Sequence, residues 1–338
     1  MNTVKVGILL FFISGLITLF PNTLLAQITI KCATVAPEGT EWTKLARKAS
    51  EEVEQKIGIK ISWYFSGAAG DEPEIAKNMK EKKIDCAALT GNGLTYLVAP
   101  ARVIELPLLF KDPSEINRIR NDMSSLLAKI ARDYKLKFIH LAEFGEVHVF
   151  SKTPIRTVED VRNKRVWIWK GDILAEHMGK VLQEEYNIKP VPVPLNDVPN
   201  YLQNIEVLYN TSYGLTSLGW DKGVKYYITQ PLTVSFVGLI INQDVFNQLD
   251  PQKQKELEEI LKNFIEMISQ MNRRNNQNAI EVMKSKGFSA TTLPEDEVKK
   301  LENMFQERIW NGLKEKLYPS WLLTEVLTRL SEYRVKRR

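Results

Sequence analysis

Apolar residues follow two alternating patterns along the chain, short continuous runs and repeats of three to four residues. The first part of the chain has predicted strands at residues 28–34, 59–65 and 84–90, and the last of these is an almost continuous apolar run. Between them, residues 40–58 and a segment that opens at Pro73 carry apolar side chains at three- and four-residue spacing. Continuous apolar runs are typical of buried parallel strands, and the spacing between them is typical of amphipathic helices. This pattern predicts a βαβαβ unit.

The same alternation continues in the middle of the chain and predicts a second α/β lobe. The segment 232–241 is long and apolar enough to return the chain to the first lobe, so we expect a ligand cleft between the two lobes. The loops at 91–93 and 210–214 would lie at strand ends, where ligands bind in α/β sheets. Further strands are predicted at residues 136–141, 146–151, 164–169, 190–194, 205–209 and 224–229.

The strand at residues 164–169 ends in two tryptophans. Trp167 and Trp169 are two residues apart, so both would lie on the same face of the strand and form an aromatic wall. Gly171 then breaks the strand, and Asp172 is positioned to cap the helix that follows.

A long charged helix is predicted from Asp250-Pro251 to about residue 286. A short strand at 288–292 and two helices, 294–316 and 321–333, complete the chain. We expect residues 27–145 with 235–290 to form lobe I, residues 146–234 to form lobe II, and residues 291–338 to wrap around the outside.

The N-terminus has the layout of a secretory signal peptide. Lys5 precedes an apolar run at residues 6–20, and Leu24-Leu25-Ala26 follows. The run is shorter than the roughly 20 apolar residues that span a bilayer. We therefore expect residues 1–26 to be removed near Ala26 and the mature protein to be exported.

Composition and charge narrow the class of protein. The chain of 338 residues is 44% apolar and 26% charged, which is ordinary for a folded globular protein and not for a disordered one. Its net charge of +5 is spread along the chain and forms no basic stripe, so we expect no nucleic-acid partner.

Few residues are arranged for catalysis or metal binding. The three histidines show no metal-ligand spacing, so we expect no metal and no cofactor. His148 alternates with valines and is either a solvent-side residue of a strand or a donor in a pocket. Cys32 and Cys86 fall in predicted strands, and both a disulfide and two buried thiols remain open for them.

Aromatic and amide side chains instead concentrate at the predicted strand ends. These side chains are suited to binding an organic molecule, and they predict a binding protein rather than an enzyme. The candidate ligand-binding residues are Glu38, Asn92, Trp167, Trp169, Asp172, Tyr209, Asn210 and Tyr213.

Several stretches, taken in order, resemble the DctP-type solute-binding proteins of tripartite ATP-independent periplasmic (TRAP) transporters. They are residues 33–39 (Ala-Thr-Val-Ala-Pro-Glu-Gly), 84–89 (Ile-Asp-Cys-Ala-Ala-Leu), 105–110 (Glu-Leu-Pro-Leu-Leu-Phe), 157–161 (Thr-Val-Glu-Asp-Val) and Tyr209-Asn210. The resemblance implies a two-lobed periplasmic-binding-protein fold of the type II kind, with a long helix spanning both lobes. It also implies delivery of a small-molecule ligand to the large and small membrane subunits of a permease.

Two positions depart from the pattern of the family. Most members carry an arginine in the strand aligned with residues 166–169, which pairs with a substrate carboxylate, and Trp167 stands at that position here. A second common arginine falls on Val147. Each lost charge-assisted hydrogen bond would be worth about 1.5–3 kcal/mol in a buried site. The chain instead resembles a subgroup with Val-Trp-x-Trp at this strand, some of whose members are associated with periplasmic tetratricopeptide-repeat proteins.

From these departures we expect an organic ligand with a sizeable apolar part, either a monocarboxylate or a lipid-like molecule. Trp167, Trp169, Tyr209 and Tyr213 would form the walls of the cleft, with Asn92 and Asn210 as polar anchors. Two alternatives remain open from the sequence: a secreted α/β enzyme, and a receptor that docks a partner protein without binding a solute.

Overall fold

The computed structural model describes residues 27–337, so the predicted signal peptide lies outside the described residues. Ten strands form one mixed sheet. They are β1 (Thr29–Ala33), β2 (Lys60–Tyr64), β3 (Cys86–Thr90), β4 (Leu136–Ser151), β5 (Arg165–Trp169), β6 (Lys189–Val193), β7 (Val207–Thr211), β8 (Tyr226–Ile228), β9 (Thr233–Asn242) and β10 (Ser289–Thr291).

Helices cover both faces of this sheet. They are α1 (Glu41–Ile57), α2 (Glu72–Lys80), α3 (Gly91–Thr95), α4 (Pro113–Asp133), α5 (Ile173–Tyr186), α6 (Val198–Tyr201), α7 (Ser212–Ser217), α8 (Gln243–Phe246), α9 (Pro251–Ser285), α10 (Glu295–Met304), α11 (Asn311–Leu313) and α12 (Ser320–Lys336). A 3-10 helix covers Ala99–Glu105. Among the residues described, no helix is long and apolar enough to cross a membrane.

The strand order shows two α/β lobes that share two long strands, which confirms the predicted fold class. The order is β2-β1-β3-β9-β4-β7-β5-β6, with β8 joining β4 to β10. In the first lobe β1 is parallel to β2 and β3, and in the second β5 is parallel to β6 and β7. The strands β4 and β9 pair antiparallel to each other and connect the two parallel groups.

The two strands predicted at 136–141 and 146–151 are one continuous strand, β4, so this prediction was wrong. The segment between them contains Gly145, which has φ +137°. The strand instead continues through register shifts at Phe138/His140 and Glu143/Gly145. Asn276 of α9 donates to the carbonyl oxygen of Phe144 at 2.9 Å, and a Cβ at position 145 would lie 2.3 Å from the Asn276 nitrogen. Glycine is therefore required where α9 crosses the bulge.

The two segments predicted as loops at strand ends, 91–93 and 210–214, also differ from the prediction, because a helix begins in each of them. Gly91 opens α3 directly after β3, because the buried carboxylate of Glu72 accepts from the backbone amides of Thr90 and Gly93, both at 2.8 Å. Likewise β7 extends to Thr211, whose hydroxyl accepts from the Gly214 amide at 3.0 Å and caps α7.

The long helix α9 connects the cores of both lobes, as expected. Its 35 residues span about 50 Å, with Asp250 as the N-cap. Residues from Leu257 to Met271 pack into the core beneath α1, and Met283 packs with Trp167 and Phe288 in the second lobe.

The C-terminal segment packs mainly on the first lobe. Leu322, Val326 and Leu330 of α12 join the same apolar core as Ile116 and Leu127 of α4. The helix predicted at 294–316 is divided, with a π-helical turn at Phe305–Trp310 between α10 and α11.

Cys32 and Cys86 are free thiols, and both are buried in the first lobe. They are directly paired residues on the parallel strands β1 and β3. Burial raises the pKa of the Cys32 thiol well above its ordinary value.

Candidate functional site

A cavity of about 200 Å³ lies between the two lobes. The first lobe contributes the chain after β1 (residues 34–37) and the end of β3, the shared strand β9 contributes Thr233, Val234, Ser235 and Val237, and the second lobe contributes residues of β5, β7, α5 and α7. The parallel strands therefore meet the cavity at their carboxyl ends, where α/β sheets bind ligands. Since an enclosed cavity of about 150 Å³ can hold benzene, this one has room for a compact organic molecule.

The aromatic wall of the cavity is built around Trp167. Its ring stacks on Tyr209 with the centroids 4.8 Å apart, lies 6.2 Å from Trp169, and meets Trp220 edge-on at 5.0 Å. The indole nitrogen of Trp167 donates to the carbonyl oxygen of Val193 at 3.0 Å, and the Trp169 amide donates to the Tyr209 hydroxyl at 3.1 Å. Because each polar atom named here has a partner, the wall is rigid and apolar on its cavity side.

The two-residue period of β5 explains why the tryptophans share a face. Val166 and Ile168 point to the opposite side of the strand, where they pack with Ala175 of α5. Trp167 and Trp169 therefore both line the cavity.

A buried ion cluster forms the polar end of the cavity. Arg102, in the 3-10 helix of the first lobe, donates to both carboxylate oxygens of Asp172 at 2.9 and 3.0 Å. It also pairs with Glu105, which accepts from the Phe236 amide at 2.7 Å. At most 8% of each of the three side chains is exposed. The Nε of Arg102 is buried and has no hydrogen-bond partner.

Glu72 is a third buried carboxyl in the cavity lining. It accepts from the hydroxyl of Thr90 at 2.5 Å, in addition to the two backbone amides that open α3. Burial raises its pKa to about 7, although these three hydrogen bonds lower it. Burial likewise raises the pKa of Glu105 and of the Tyr209 phenol.

Asn92 connects the lobes and does not line the cavity. It is fully buried at the start of α3. With its amide oriented so that the nitrogen faces the Gly171 carbonyl oxygen at 3.1 Å, its oxygen accepts from the indole nitrogen of Trp169 at 3.2 Å. The hydroxyl of Tyr96 also donates to the Gly171 carbonyl. Along with the Arg102–Asp172 pair, these bonds join the first lobe to the end of β5.

Six of the eight predicted ligand-binding residues line the cavity, namely Trp167, Trp169, Asp172, Tyr209, Asn210 and Tyr213. The Asn210 side chain accepts from the Thr211 amide at 2.8 Å. Glu38 lies outside the lining; it is exposed and pairs with Arg47 at 2.9 Å. His148 is also outside: it is buried, and its Nδ1 lies 3.0 Å from the Ile228 carbonyl oxygen.

The sequence reasoning missed Arg102, Glu105 and Glu72. A signal was present for the first two, since they are the only charged residues between Leu94 and Phe110, in an otherwise apolar stretch. Charges in such a stretch are costly unless they are paired. Glu72 resembled an ordinary acidic residue of a helix start.

The lining of the cavity is suited to binding an organic molecule. Among residues 27–337, no cysteine, histidine or lysine lines it, and no group of three His, Cys, Asp or Glu side chains is placed to hold a metal ion. Its hydroxyls, amides and aromatic rings can enclose a ligand without reacting with it.

Known proteins are similar to this chain in sequence. The chain is 22% identical over 142 residues to a solute-binding protein of Chromohalobacter salexigens, covering 41% of this chain and 42% of that protein. It is 22% identical over 217 residues to the ectoine/5-hydroxyectoine-binding periplasmic protein UehA of Ruegeria pomeroyi, covering 62% of each. These matches thus span between about two fifths and three fifths of the relatives' length.

Solved structures show the same fold. A TRAP periplasmic solute-binding protein of Xanthobacter autotrophicus, with bound β-D-galacturonate, superposes with a TM-score of 0.77 at 19% identity, covering 89% of this chain and 98% of that one. One from Shewanella oneidensis, with bound succinate, superposes with a TM-score of 0.78 at 18% identity, covering 90% of this chain and all of that one.

The family assignment comes from a match along most of the chain. The model of the family described as bacterial extracellular solute-binding protein, family 7 (DctP) matches residues 32–315. This is a family of binding proteins, in agreement with the prediction of a binding protein rather than an enzyme. The chain therefore belongs to the DctP family of bacterial extracellular solute-binding proteins.

Proposed function

We propose that this protein is the extracytoplasmic receptor of a TRAP-type secondary transporter. It captures a small organic molecule between its lobes and delivers it to the large and small membrane subunits of the permease. Family membership, the two-lobed fold and the cavity support this function. In this proposal residues 1–26 are the cleaved signal peptide, the mature protein is periplasmic, and the lobes divide at residues 145/146 and 234/235.

The ligand in this proposal is predominantly apolar. The observation that carries it is the three-ring stack of Trp169, Trp167 and Tyr209, with Trp167 at the position where the family resemblance implies an arginine. Among the residues that the structure describes, Arg102 is the one arginine of the cavity lining, and its guanidinium already bonds to two carboxylates. A small dicarboxylate such as the succinate bound by the Shewanella protein would find no free cation among the lining residues of the described chain.

The subgroup and its partner are a further part of the proposal. The Val166-Trp167-Ile168-Trp169 sequence supports membership of the subgroup that has Val-Trp-x-Trp at this strand. A periplasmic tetratricopeptide-repeat protein would then be the additional partner.

Native mass spectrometry of the protein purified under mild conditions tests the ligand class. We expect a co-purifying apolar species of low mass, which is released on denaturation. A small dicarboxylate as the bound species would contradict the proposal.

Two Ser→Phe variants, a cavity-filling one and a matched control, test whether the ligand occupies this cavity. Ser217 lines the cavity at the end of α7, so Ser217→Phe should fill the space and abolish the bound species. Ser331→Phe adds the same ring on the exposed side of α12 and should retain it. Equal retention by both variants would place the ligand outside this cavity.

A further inference from the structure

Basic side chains form a row across the sheet at the edge where the parallel strands of the second lobe begin. Arg165, the first residue of β5, is directly paired with Lys189, the first residue of β6. On the other side of Arg165, the amide of Glu206, just before β7, donates to the Arg165 carbonyl oxygen at 2.8 Å. The Lys152 amide, just after β4, donates to the Glu206 carbonyl oxygen at 3.0 Å. Lys225, just before β8, extends the register in which β8 pairs with the end of β4, so it lies beside Lys152.

These five residues, the basic row, point to one face of the sheet. Directly paired residues share a face, and side chains alternate between the faces along each strand. The residues two positions further into the sheet all pack in one core of the second lobe; they are Tyr227, Phe150, Leu208, Trp167 and Val191. Since neighbouring strands are about 4.8 Å apart, the row is about 19 Å wide. The sequence shows no basic stripe here, because the row is assembled from five separate segments of the chain.

The basic row carries an excess of positive charge. Glu206 is its one acidic member, and its carboxylate lies 3.4 Å from the guanidinium of Arg165. Within residues 27–337, the three lysines of the row form no ion pair. Arg165, Lys189 and Lys225 are exposed, and Lys152 is half-buried, so an anion can approach the row from solvent.

The two cations on either side of Glu206 are held in place by the same loop. The Lys152 ammonium donates to the Gln203 carbonyl oxygen at 2.9 Å, and Nε of Arg165 donates to the Asn204 carbonyl oxygen at 2.6 Å. Burial and the positive charge of Arg165 both lower the pKa of Lys152. A negative charge brought to the row would offset this repulsion, and the Lys152 ammonium has further N–H donors to offer it.

We propose that the basic row docks the receptor on an anionic bilayer surface. The proposal rests on the proposed function only in placing the protein beside a membrane. Each Lys or Arg close to an anionic bilayer adds to the attraction, and no shaped pocket is needed. The centre of a stable protein interface is instead rich in aromatic residues and poor in lysine. Three of the five residues of the row are lysines and none is aromatic, so a bilayer is the partner that fits.

Docking through the basic row would leave the cavity free. None of the five residues is in the cavity lining. Strand β5 starts in the row at Arg165 and reaches the cavity at Trp169, four residues later, which corresponds to about 13 Å of strand. Ligand binding and membrane docking can therefore be measured separately.

Sedimentation with lipid vesicles tests the proposal on the full mature chain. One set of vesicles is phosphatidylcholine alone, and the other contains about one third phosphatidylglycerol. At low salt we expect the partition coefficient to be at least about tenfold higher for the anionic vesicles. The difference should disappear in about 0.5 M NaCl, where the Debye length is only about 4 Å. Equal partition into both vesicles at low salt, or binding to neither, would overturn the proposal.

Two triple variants separate the basic row from the overall charge of the protein. The row variant combines Lys152→Gln, Lys189→Gln and Lys225→Gln. The control variant removes the same charge from exposed lysines on α1, α4 and α10, and combines Lys44→Gln, Lys129→Gln and Lys299→Gln. We expect the row variant to bind the anionic vesicles at least about tenfold more weakly and the control to stay close to the wild type. Equal losses in both would contradict docking through the row.

A protein partner and the proposed receptor function are distinguished by two further results. Binding of the wild type to permease in phosphatidylcholine vesicles, lost in the row variant and not strengthened by phosphatidylglycerol, would overturn the bilayer as the partner. The row variant should retain the species that co-purifies with the wild type, as native mass spectrometry would show. Failure of the wild type to bind anionic vesicles while that species is retained would overturn the docking proposal and leave the receptor function standing.

Discussion

At the scale of single residues, Glu72 shows how one buried carboxyl group serves two parts of the fold. Its side chain belongs to α2, yet its oxygens accept from the backbone that leads from β3 into α3. It therefore fixes the junction between β3 and α3, where Asn92 lies. The three donors offset part of the cost of burying the carboxylate, but burial still dominates its pKa.

Glu72 should give the protein a measurable pH dependence. Its folded-state pKa of about 7 is above its ordinary value of 4.5, so between these pH values the folded state binds more protons than the unfolded state. Its contribution to the free energy of unfolding should thus be greatest at low pH and fall by up to ~3 kcal/mol as the pH rises from 4.5 to 7.

Denaturant unfolding at several pH values, compared between the wild type and Glu72→Gln, isolates this contribution. His140 and His148 have pKa values that burial lowers, so they favour the folded state as pH rises, but they are present in both proteins and cancel in the difference. A stability difference that stays constant from pH 4.5 to 7 would contradict the prediction.

At the scale of elements, most helices and strands could be predicted from local chemistry. Thr40 and Gly58 bound α1, and Asp250 and Pro251 begin α9, where sequence rules place them. Two features depended on tertiary contacts instead. The Asn276 side chain donates to the bulge through which β4 continues. The Glu72 carboxylate accepts from the first turn of α3. Asn276 and Glu72 are both distant in sequence from the element that they stabilise.

The cap of α9 should make a separable contribution to stability. The Asp250 carboxylate accepts from the Lys253 amide at 3.0 Å, so Asp250→Ala should lower the free energy of unfolding by about 1 kcal/mol. Asp250→Ser retains a capping oxygen and should stay close to the wild type. Urea denaturation followed by circular dichroism measures both, and equal losses in the two variants would contradict a role for the cap.

The part of the site that depends on single strands could be predicted from the sequence, and the part that depends on contacts between the lobes could not. The aromatic residues followed from the period of β5 and the positions of the strand ends. Arg102 and Asp172, however, are 70 residues apart in the chain, and their pairing depends on how the lobes meet. For the same reason Asn92 was expected in the cleft, whereas it is used to join the lobes.

At the scale of the whole molecule, a few buried polar contacts hold the lobes together at the base of the cavity. One of these contacts is the ion pair between Arg102 and Asp172. Asn92 and Tyr96 add hydrogen bonds between uncharged groups, to the segment 169–171. Without Asp172, Arg102 would keep Glu105 as a carboxylate partner, but its bond across the lobes would be lost, and α5 would lose the carboxylate that accepts from the Leu174 and Ala175 amides.

Asp172→Ala should therefore open the cleft. We expect a loss of about 1–3 kcal/mol in the free energy of unfolding and a larger radius of gyration in small-angle X-ray scattering. Glu159→Ala removes an exposed pair with Arg162, which should leave both the free energy of unfolding and the scattering nearly unchanged. An Asp172→Ala protein with the wild-type radius of gyration would show that the pair does not hold the lobes closed.

The paired thiols of β1 and β3 have a practical consequence. Cys32 and Cys86 are the only cysteines of the chain, and each is 1% exposed in the centre of the first lobe's sheet. A thiol reagent can reach them only when these strands separate. The rate of alkylation therefore reports the opening of the first lobe with no engineered label, and ligand-dependent protection of the thiols would show whether filling the cavity stabilises that lobe.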